Sequence, residues 1–296
     1  MMTIILGVLE EGLIYAIMAL GVYITYKILD FPDLSVDGTF PMGAALTSTL
    51  ILTGVHPVLT LLLTFLAGAA AGCCTGFIHV KLKVRDLLSG IIVMTALYSV
   101  NLRIADGKAN QPIFNRDTIF ENEFLTRIMP EGLTPYTVVI LLFLIVILCK
   151  LLLDLYLKTR SGYLLRAVGD NETLVTSLAK DKGKVKIVGL AIANAFAALS
   201  GGIYCQQKGF FEITIGTGAI VIGLASVIIG TQLFRHFTAV KATTAVILGS
   251  ILYKGCVSLA ISLGMKANDL KLITAILFLL ILVAGNLNGK KGRIHD

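Results

Sequence analysis

Charge is scarce in this chain: Lys, Arg, Asp and Glu make up only 15% of its 296 residues, while 56% are hydrophobic. A soluble domain of this length carries about a quarter charged residues. So few charges do not cover a water-facing surface, whereas a lipid-facing surface needs almost none. Also missing is any GxxxxGK[ST] run, so the sequence has no phosphate loop for ATP. It contains no HExxH, no GxSxG and no converging His/Asp cluster, which argues against a membrane-embedded enzyme. Cys73, Cys74, Cys149, Cys205 and Cys256 form no CxxC or Cys/His spacing. They lie within or beside apolar runs and read as small hydrophobes rather than metal ligands. His56, His79, His236 and His295 are scattered and form no ligand set. No metal and no cofactor is expected. The alternating pattern of a membrane β-barrel is absent as well.

What the chain does have is long apolar runs, at 12–29, 38–54, 57–79, 87–104, 135–153, 187–205, 217–233, 238–258 and 269–286. Each is near the roughly 20 residues a helix needs to cross a bilayer. Backbone groups in lipid must be satisfied within the segment, so these runs read as helices. The fold class expected is all-α integral membrane, a polytopic bundle of about nine spans in a single domain over 1–296. The first run carries Glu10 and Glu11 and no basic leader, so its span is expected to be retained. The net charge of +7 does not mark a nucleic-acid surface, because the basic residues sit between spans and form no continuous face. They serve as topology signals instead. Lys81, Lys83 and Arg85, the basic linker 154–186, Arg235 and Lys241, and Lys290, Lys291 and Arg293 fall on one side if the spans alternate. With that side cytoplasmic, the N-terminus is outside, the C-terminus inside and the 105–134 linker outside.

Two polar interruptions break the apolar pattern, Leu29–Ala45 (LDFPDLSVDGTFPMGAA) and Lys208–Ala225 (KGFFEITIGTGAIVIGLA). Phe31 aligns with Phe210, Asp33 with Glu212, and Gly38 with Gly216. The spans before them run in opposite directions, the pattern of an inverted repeat whose broken helices meet near the midplane. Ionisable and amide groups inside a membrane are costly and default to functional candidates. Asp33, Asp37, Tyr98, Asn101, Asn194 and Glu212 are therefore candidates for lining a solute path. Each has a second reading as a structural hydrogen bond at a broken helix. Gly68, Gly72 and Gly76 form a small-residue stripe for close helix approach, expected within the subunit rather than at a dimer seam. In the outer linker, Asn110, Gln111 and Arg116 are candidates for contact with a docking protein.

The basic linker contains SGYLLRAVGDNETLVTSLAKDKGKVK. Asp170 or Asn171 reads as an N-cap, Glu172 sits in the first turn, and Leu174, Val175 and Leu178 share a face. Gly183 reads as the helix stop. Such a helix, within about 163–180, either lies on the lipid surface or docks a cytoplasmic partner. The run from Leu165 to Gly230, beginning LRAVGDNETLVTSLAKDKGKVKIVGL, resembles the branched-chain amino acid and ribose type of bacterial ABC permeases. It is most similar to an uncharacterised or tryptophan-type subgroup, whose members also carry segments like LDFPDLSVDGTFPMGAA and LLSGIIVMTALYSVNLRIADGKANQPIF. The likeness runs over most of the chain. One departure is IIGTQLFRHF, where an acidic residue is expected near Thr231.

The resemblance implies a permease dimer in the bacterial inner membrane, two ATP-binding-cassette ATPase subunits on the cytoplasmic helix, and an extracytoplasmic solute-binding protein. Arg166, Asp170, Asn171, Glu172, Leu174 and Leu178 would carry the ATPase contact. The solute it implies is a small polar metabolite, with an amino acid favoured. An ion-coupled secondary transporter is the rival reading, since it too shows inverted repeats and intramembrane acids.

Overall fold

The computed structural model describes residues 2–122, 135–171, 181–235 and 240–263, with position 237 and a few separate positions from 272 to 283. Among them the fold is a helical bundle. Helix α1 (Met2–Val22) runs into a π-helical stretch, Tyr23–Ile28. It is followed by α2 (Val36–Leu52), α3 (Pro57–Lys81), α4 (Asp86–Ile104), α5 (Thr137–Leu157), α6 (Arg160–Asp170), α7 (Lys182–Lys208), α8 (Ala219–Leu233) and α9 (Ala242–Ser262). Seven helical segments are long and apolar enough to cross a membrane: Met2–Ile28, α3, α4, α5, α7, the stretch Ile213–Leu233 and α9. The chain is a multi-pass, all-α membrane protein. With 17 residues, α2 is about 25 Å long, shorter than the roughly 30 Å hydrocarbon core. The run at 269–286 lies outside the described residues.

The first span is longer than its apolar pattern suggests. The expected start at 12 avoids Glu10 and Glu11, yet the helix begins at Met2. Both acids are satisfied by other helices. Glu11 pairs with Lys208 at 2.9 Å and with Lys254 of α9 at 3.1 Å. Glu10 accepts a hydrogen bond from the Gln207 amide at 2.8 Å. Beyond them, α1 is buried on every side from Gly12 to Val22, so an amphipathic stripe has no place there.

The other central element is α7, buried along most of its length between α1, α2 and α3. Small residues permit this crowding. A Cβ at Gly68, Gly72 or Gly76 would strike the backbone of α7 at Asn194–Ala195, Leu190–Ala191 and Ile187, respectively. The stripe on α3 thus packs inside the subunit, where backbones approach closely.

At the end of the bundle where α2 and α7 finish, the chain forms a small two-stranded ribbon. Strand β1 (Asn110–Pro112) pairs antiparallel with β2 (Phe210–Glu212), Gln111 opposite Phe211. This is the one departure from an all-helical plan among the described residues. Gln111 is not free for a docking partner: it is 6% exposed, and its Oε1 lies against the Ser48 and Thr49 hydroxyls at 3.1 and 3.2 Å. Residues 123–134 of this linker lie outside the described residues.

The described part of the linker already forms a helix before the expected N-cap. Asp170 is the last residue of a helix, and residues 172–180, on which the capping reading of Asn171 rests, lie outside the described residues. Thr159 caps α6, whose last residue is Asp170, and Asn171 follows in extended conformation. Gly183 does not stop a helix. Asp181 caps α7 by accepting from the amides of Gly183 and Lys184, so Gly183 lies in the first turn. The buried face of α6 is Gly162, Leu165 and Val168, at i, i+3 spacing. Glu172, Leu174 and Leu178 lie outside the described residues.

Candidate functional site

The site begins where α1 ends. After the π-helical stretch, Leu29–Ser35 turns back into the bundle instead of leaving it. Phe31 is 2% exposed and meets His79 of α3 edge to face at 5.0 Å. Asp33 then lies against Asn194, near the middle of the 27-residue α7. Helix α2 therefore starts inside the protein, and its N-terminal amides need a partner there. Asp33 supplies one: its Oδ1 accepts from the Ser35 amide at 2.9 Å and from the Ser35 hydroxyl at 2.6 Å.

Asn194 closes this network. Its Nδ2 donates to Asp33 Oδ2 at 2.7 Å and to the Leu190 carbonyl at 3.1 Å. Its Oδ1 accepts from Thr39 at 2.7 Å. Ser35 has one hydroxyl proton, so its shorter bond to Asp33 takes precedence over the 3.1 Å approach to Asn194 Oδ1. Asp33, Ser35, Thr39 and Asn194 are all at most 1% exposed. An isolated buried carboxylate is very costly, and here hydrogen bonds alone offset that cost, with no lysine or arginine paired to Asp33 among the described residues.

One turn along α2, Asp37 does a second capping job. Its Oδ2 accepts from the Gly218 amide at 3.0 Å and its Oδ1 from the Ile220 amide at 2.7 Å. Those amides are the N-terminus of α8, so the carboxylate also meets the positive end of that helix dipole. The approach to α8 is irregular: a 3-10 turn (Ile213–Gly216), Thr217, then Gly218 at φ +83°. That left-handed conformation is available to glycine without strain. Pro41 leaves the Asp37 carbonyl without its usual i+4 amide. Gly216 packs directly on that carbonyl and on the Pro41 ring, where a Cβ would not fit. Two interrupted helices thus meet N-terminus to N-terminus, pinned by a single carboxylate.

Beside this junction is a cavity of about 390 Å³ lined by Asp37, Gly38, Pro41, Met94, Thr95, Tyr98, Asn101, Ile213, Thr214 and Thr217. Asn101 is fully buried, and its Nδ2 donates to the Gly38 carbonyl at 3.0 Å. Its Oδ1 has no hydrogen-bond partner. Tyr98 is 53% exposed at the rim.

Of the candidates read from the sequence, Asp37, Tyr98 and Asn101 share this cavity. Asp33 and Asn194 form the adjoining polar network. Glu212 does not join them. It lies on β2 opposite Asn110 and accepts from the Thr214 hydroxyl at 2.7 Å. Its alignment with Asp33 therefore does not extend to an equivalent place, because β2 is held in the ribbon before the chain turns inward. Arg166 is exposed on α6 and Asp170 ends that helix.

Sequence reading does not single out Ser35 and Thr39, although both lie in the polar interruption with i, i+4 spacing. Nor does it single out Lys254. A lysine inside an apolar run is itself a signal. Here it pairs with Glu11 and sits 4.0 Å from the centre of the Tyr15 ring.

Comparison with known proteins follows the same path. Residues 4–284 match the family described as "Branched-chain amino acid transport system / permease component". The tyrosine transport system permease protein of Clostridioides difficile (strain R20291) is 48% identical over 284 residues, 96% of this chain and 92% of that protein. An uncharacterized protein of Rickettsia prowazekii (strain Madrid E) is 33% identical over 285 residues, 95% of this chain and 97% of its own. The ribose import permease protein RbsC of Escherichia coli (strain K12) is 24% identical over 226 residues, 76% of this chain and 68% of that one. No solved structure matches.

Proposed function

Since this chain belongs to the branched-chain amino acid transport permease family, we propose that it is the membrane-spanning subunit of a bacterial ABC importer for an amino acid, with an aromatic one favoured. The observation that carries the solute class is the likeness, over 96% of the chain, to a tyrosine transport system permease. The family works with ATPase and solute-binding partners, and this sequence has no phosphate loop, so ATP is hydrolysed by a companion subunit. The complete assembly holds two copies of this single-domain permease, two ATPase subunits and an extracytoplasmic binding protein. Nine spans in the inner membrane, N-terminus outside and C-terminus inside, keep every basic linker cytoplasmic.

Transport follows from the interrupted helices. Helices α1 and α7 are each followed by an irregular stretch and then by a half-helix, the arrangement of an inverted repeat around a central path. The Asp37 junction and its cavity lie on that path, with Asp33 and Asn194 supporting it. The cytoplasmic segment 160–180 couples it to the ATPase, through Arg166, Asp170 and Asn171 and on through Glu172, Leu174 and Leu178. Gly169 of α6 packs against the Ile28 carbonyl, and Leu165 and Leu29 both pack at Gly189. A push on α6 therefore reaches the stretch Leu29–Ser35 that carries Asp33.

Leu174→Asp in the complete transporter tests the reading. It is expected to abolish solute-stimulated ATP hydrolysis and uptake in proteoliposomes. Coupling at the wild-type level would overturn the docking role. Uptake by the purified chain alone, driven by an ion gradient, would favour a secondary transporter instead.

A further inference from the structure

The cavity beside α2, α4 and residues 213–217 has more acceptor than donor capacity at its polar end. Asp37 uses both carboxylate oxygens to cap α8, but each has a second lone pair. Asn101 Oδ1 is unpartnered. A flip of that amide would not cure this: Nδ2 faces the Gly38 carbonyl, which only accepts, so the oxygen stays on the unpaired side. A buried acceptor left unpaired is costly, and the cost is recovered when a donor arrives. Among the described residues no lysine or arginine forms an ion pair with Asp37. Its positive partner among the described residues is the N-terminal end of the α8 dipole. The rest of the wall combines the apolar surfaces of Pro41, Met94, Ile213 and the Tyr98 ring with the hydroxyls of Tyr98, Thr95, Thr214 and Thr217, of which Thr95 and Thr214 already donate to the Ile91 carbonyl and to Glu212. Two of the amides at the α8 N-terminus that would suit a solute carboxylate, those of Gly218 and Ile220, are already taken by Asp37.

We propose that this cavity is a solute subsite that reads a primary ammonium group through Asp37 and Asn101 Oδ1 and holds a bulky apolar or aromatic side chain on the opposite wall. It rests on the amino-acid reading above and adds which end of the solute the permease recognises. The geometry assigns Asn101 as a binding residue and not simply a packing one. Its Nδ2 bond to Gly38 orients it, and its oxygen does the recognition. A ligand recognised by its carboxylate alone would gain nothing from these two groups.

The test uses the permease assembled with its ATPase subunits in lipid nanodiscs, without the binding protein, and radiolabelled tyramine as probe. Tyramine keeps the ammonium and the ring but lacks the carboxylate. Tyramine and L-tyrosine are expected to compete for one site, and 3-(4-hydroxyphenyl)propionate, which lacks the ammonium, is not. Asn101→Leu and Asp37→Asn are each expected to weaken tyramine binding by roughly tenfold or more, since hydrogen bonds to a charged group are the strong ones. Asp37→Asn keeps the side-chain shape, so it reads the charge if Asn101→Leu fails to assemble. Equal competition by the propionate, or wild-type tyramine affinity in the assembled variants, would overturn the proposal. Uptake of L-tyrosine by the complete transporter is measured in parallel. Normal uptake with unaffected tyramine binding in the variants sinks this subsite alone. Asn101-dependent tyramine binding in a transporter that moves no amino acid keeps the subsite and sinks the amino-acid reading.

Discussion

Asn194 is the side chain on which the polar interior depends most. Among the described residues it is the side chain that joins Asp33, Ser35 and Thr39, and all four groups are sealed from solvent. Replacing it with leucine of similar volume removes the donor to Asp33 and the acceptor for Thr39 at once. Loss of one partner of a buried charged group costs about 3 kcal/mol or more. Asn194→Leu is therefore expected to lower the thermal unfolding midpoint in detergent well beyond Ser35→Ala. The serine variant still leaves Asp33 with the Ser35 amide and Asn194, so about 1–2 kcal/mol is expected for it. Comparable midpoints for the two would show that the network does not hold α2 in place. The candidate list drawn from sequence contains Asp33 and Asn194 but does not join them, because 161 residues separate them and no local pattern encodes their depth.

Among elements, α3 and α8 use glycine for different physical reasons, and substitution separates them. At Gly72 the backbone conformation is ordinary and a Cβ would collide with the Leu190 carbonyl of α7. At Gly218 there is open space, but φ is +83°. Gly72→Ala is expected to cost about 1–3 kcal/mol by pushing α3 off α7, and Gly72→Leu more. Gly218→Val is expected to cost about 1–2 kcal/mol through the backbone alone, while Gly218→Asn, which tolerates the left-handed region, costs little. Unfolding midpoints of these four variants check the distinction. A large loss in Gly218→Asn would mean that crowding, not backbone conformation, selects glycine there. The four-residue spacing of Gly68, Gly72 and Gly76 makes the α3 stripe legible from sequence. Gly218 is not, since nothing local distinguishes it from Gly216, whose φ is not positive and whose lack of a Cβ serves close packing on Asp37 and Pro41.

For the molecule as a whole, the decisive question is which way it faces. The ribbon of β1 and β2 closes one end of the bundle, and the 81–86 turn and α6 lie at the other. In a cysteine-free background, a single cysteine at Asp117 is expected to react with a membrane-impermeant thiol reagent on intact cells. One at Lys83 is expected to react only after permeabilisation. The opposite labelling would invert the orientation and place α6 outside, out of reach of any ATPase. Charge bias is the only sequence signal for this choice, and it acts during insertion rather than through contacts in the finished fold.

Length, hydropathy and charge scarcity were sufficient to make this a multi-pass helical membrane protein and to locate α2 to α5 and α7 to α9 to within a few residues, because lipid forces each crossing to satisfy its own backbone. The exceptions are instructive. Along the sequence Glu10 and Glu11 delay the start of the first span, but in the fold Lys208, Lys254 and Gln207 are brought to them. Asp33 and Glu212 look equivalent along the chain, yet one is drawn into the bundle and the other is held in a ribbon. Tyr98 and Asn101 are three residues apart on α4, but only packing against Gly38 buries one and leaves the other at a cavity rim. A sequence carries the period and polarity of each helix. Its rotation, its depth and the partners of its few polar groups are set by the neighbouring helices, so only the tertiary structure decides where a junction and a cavity form.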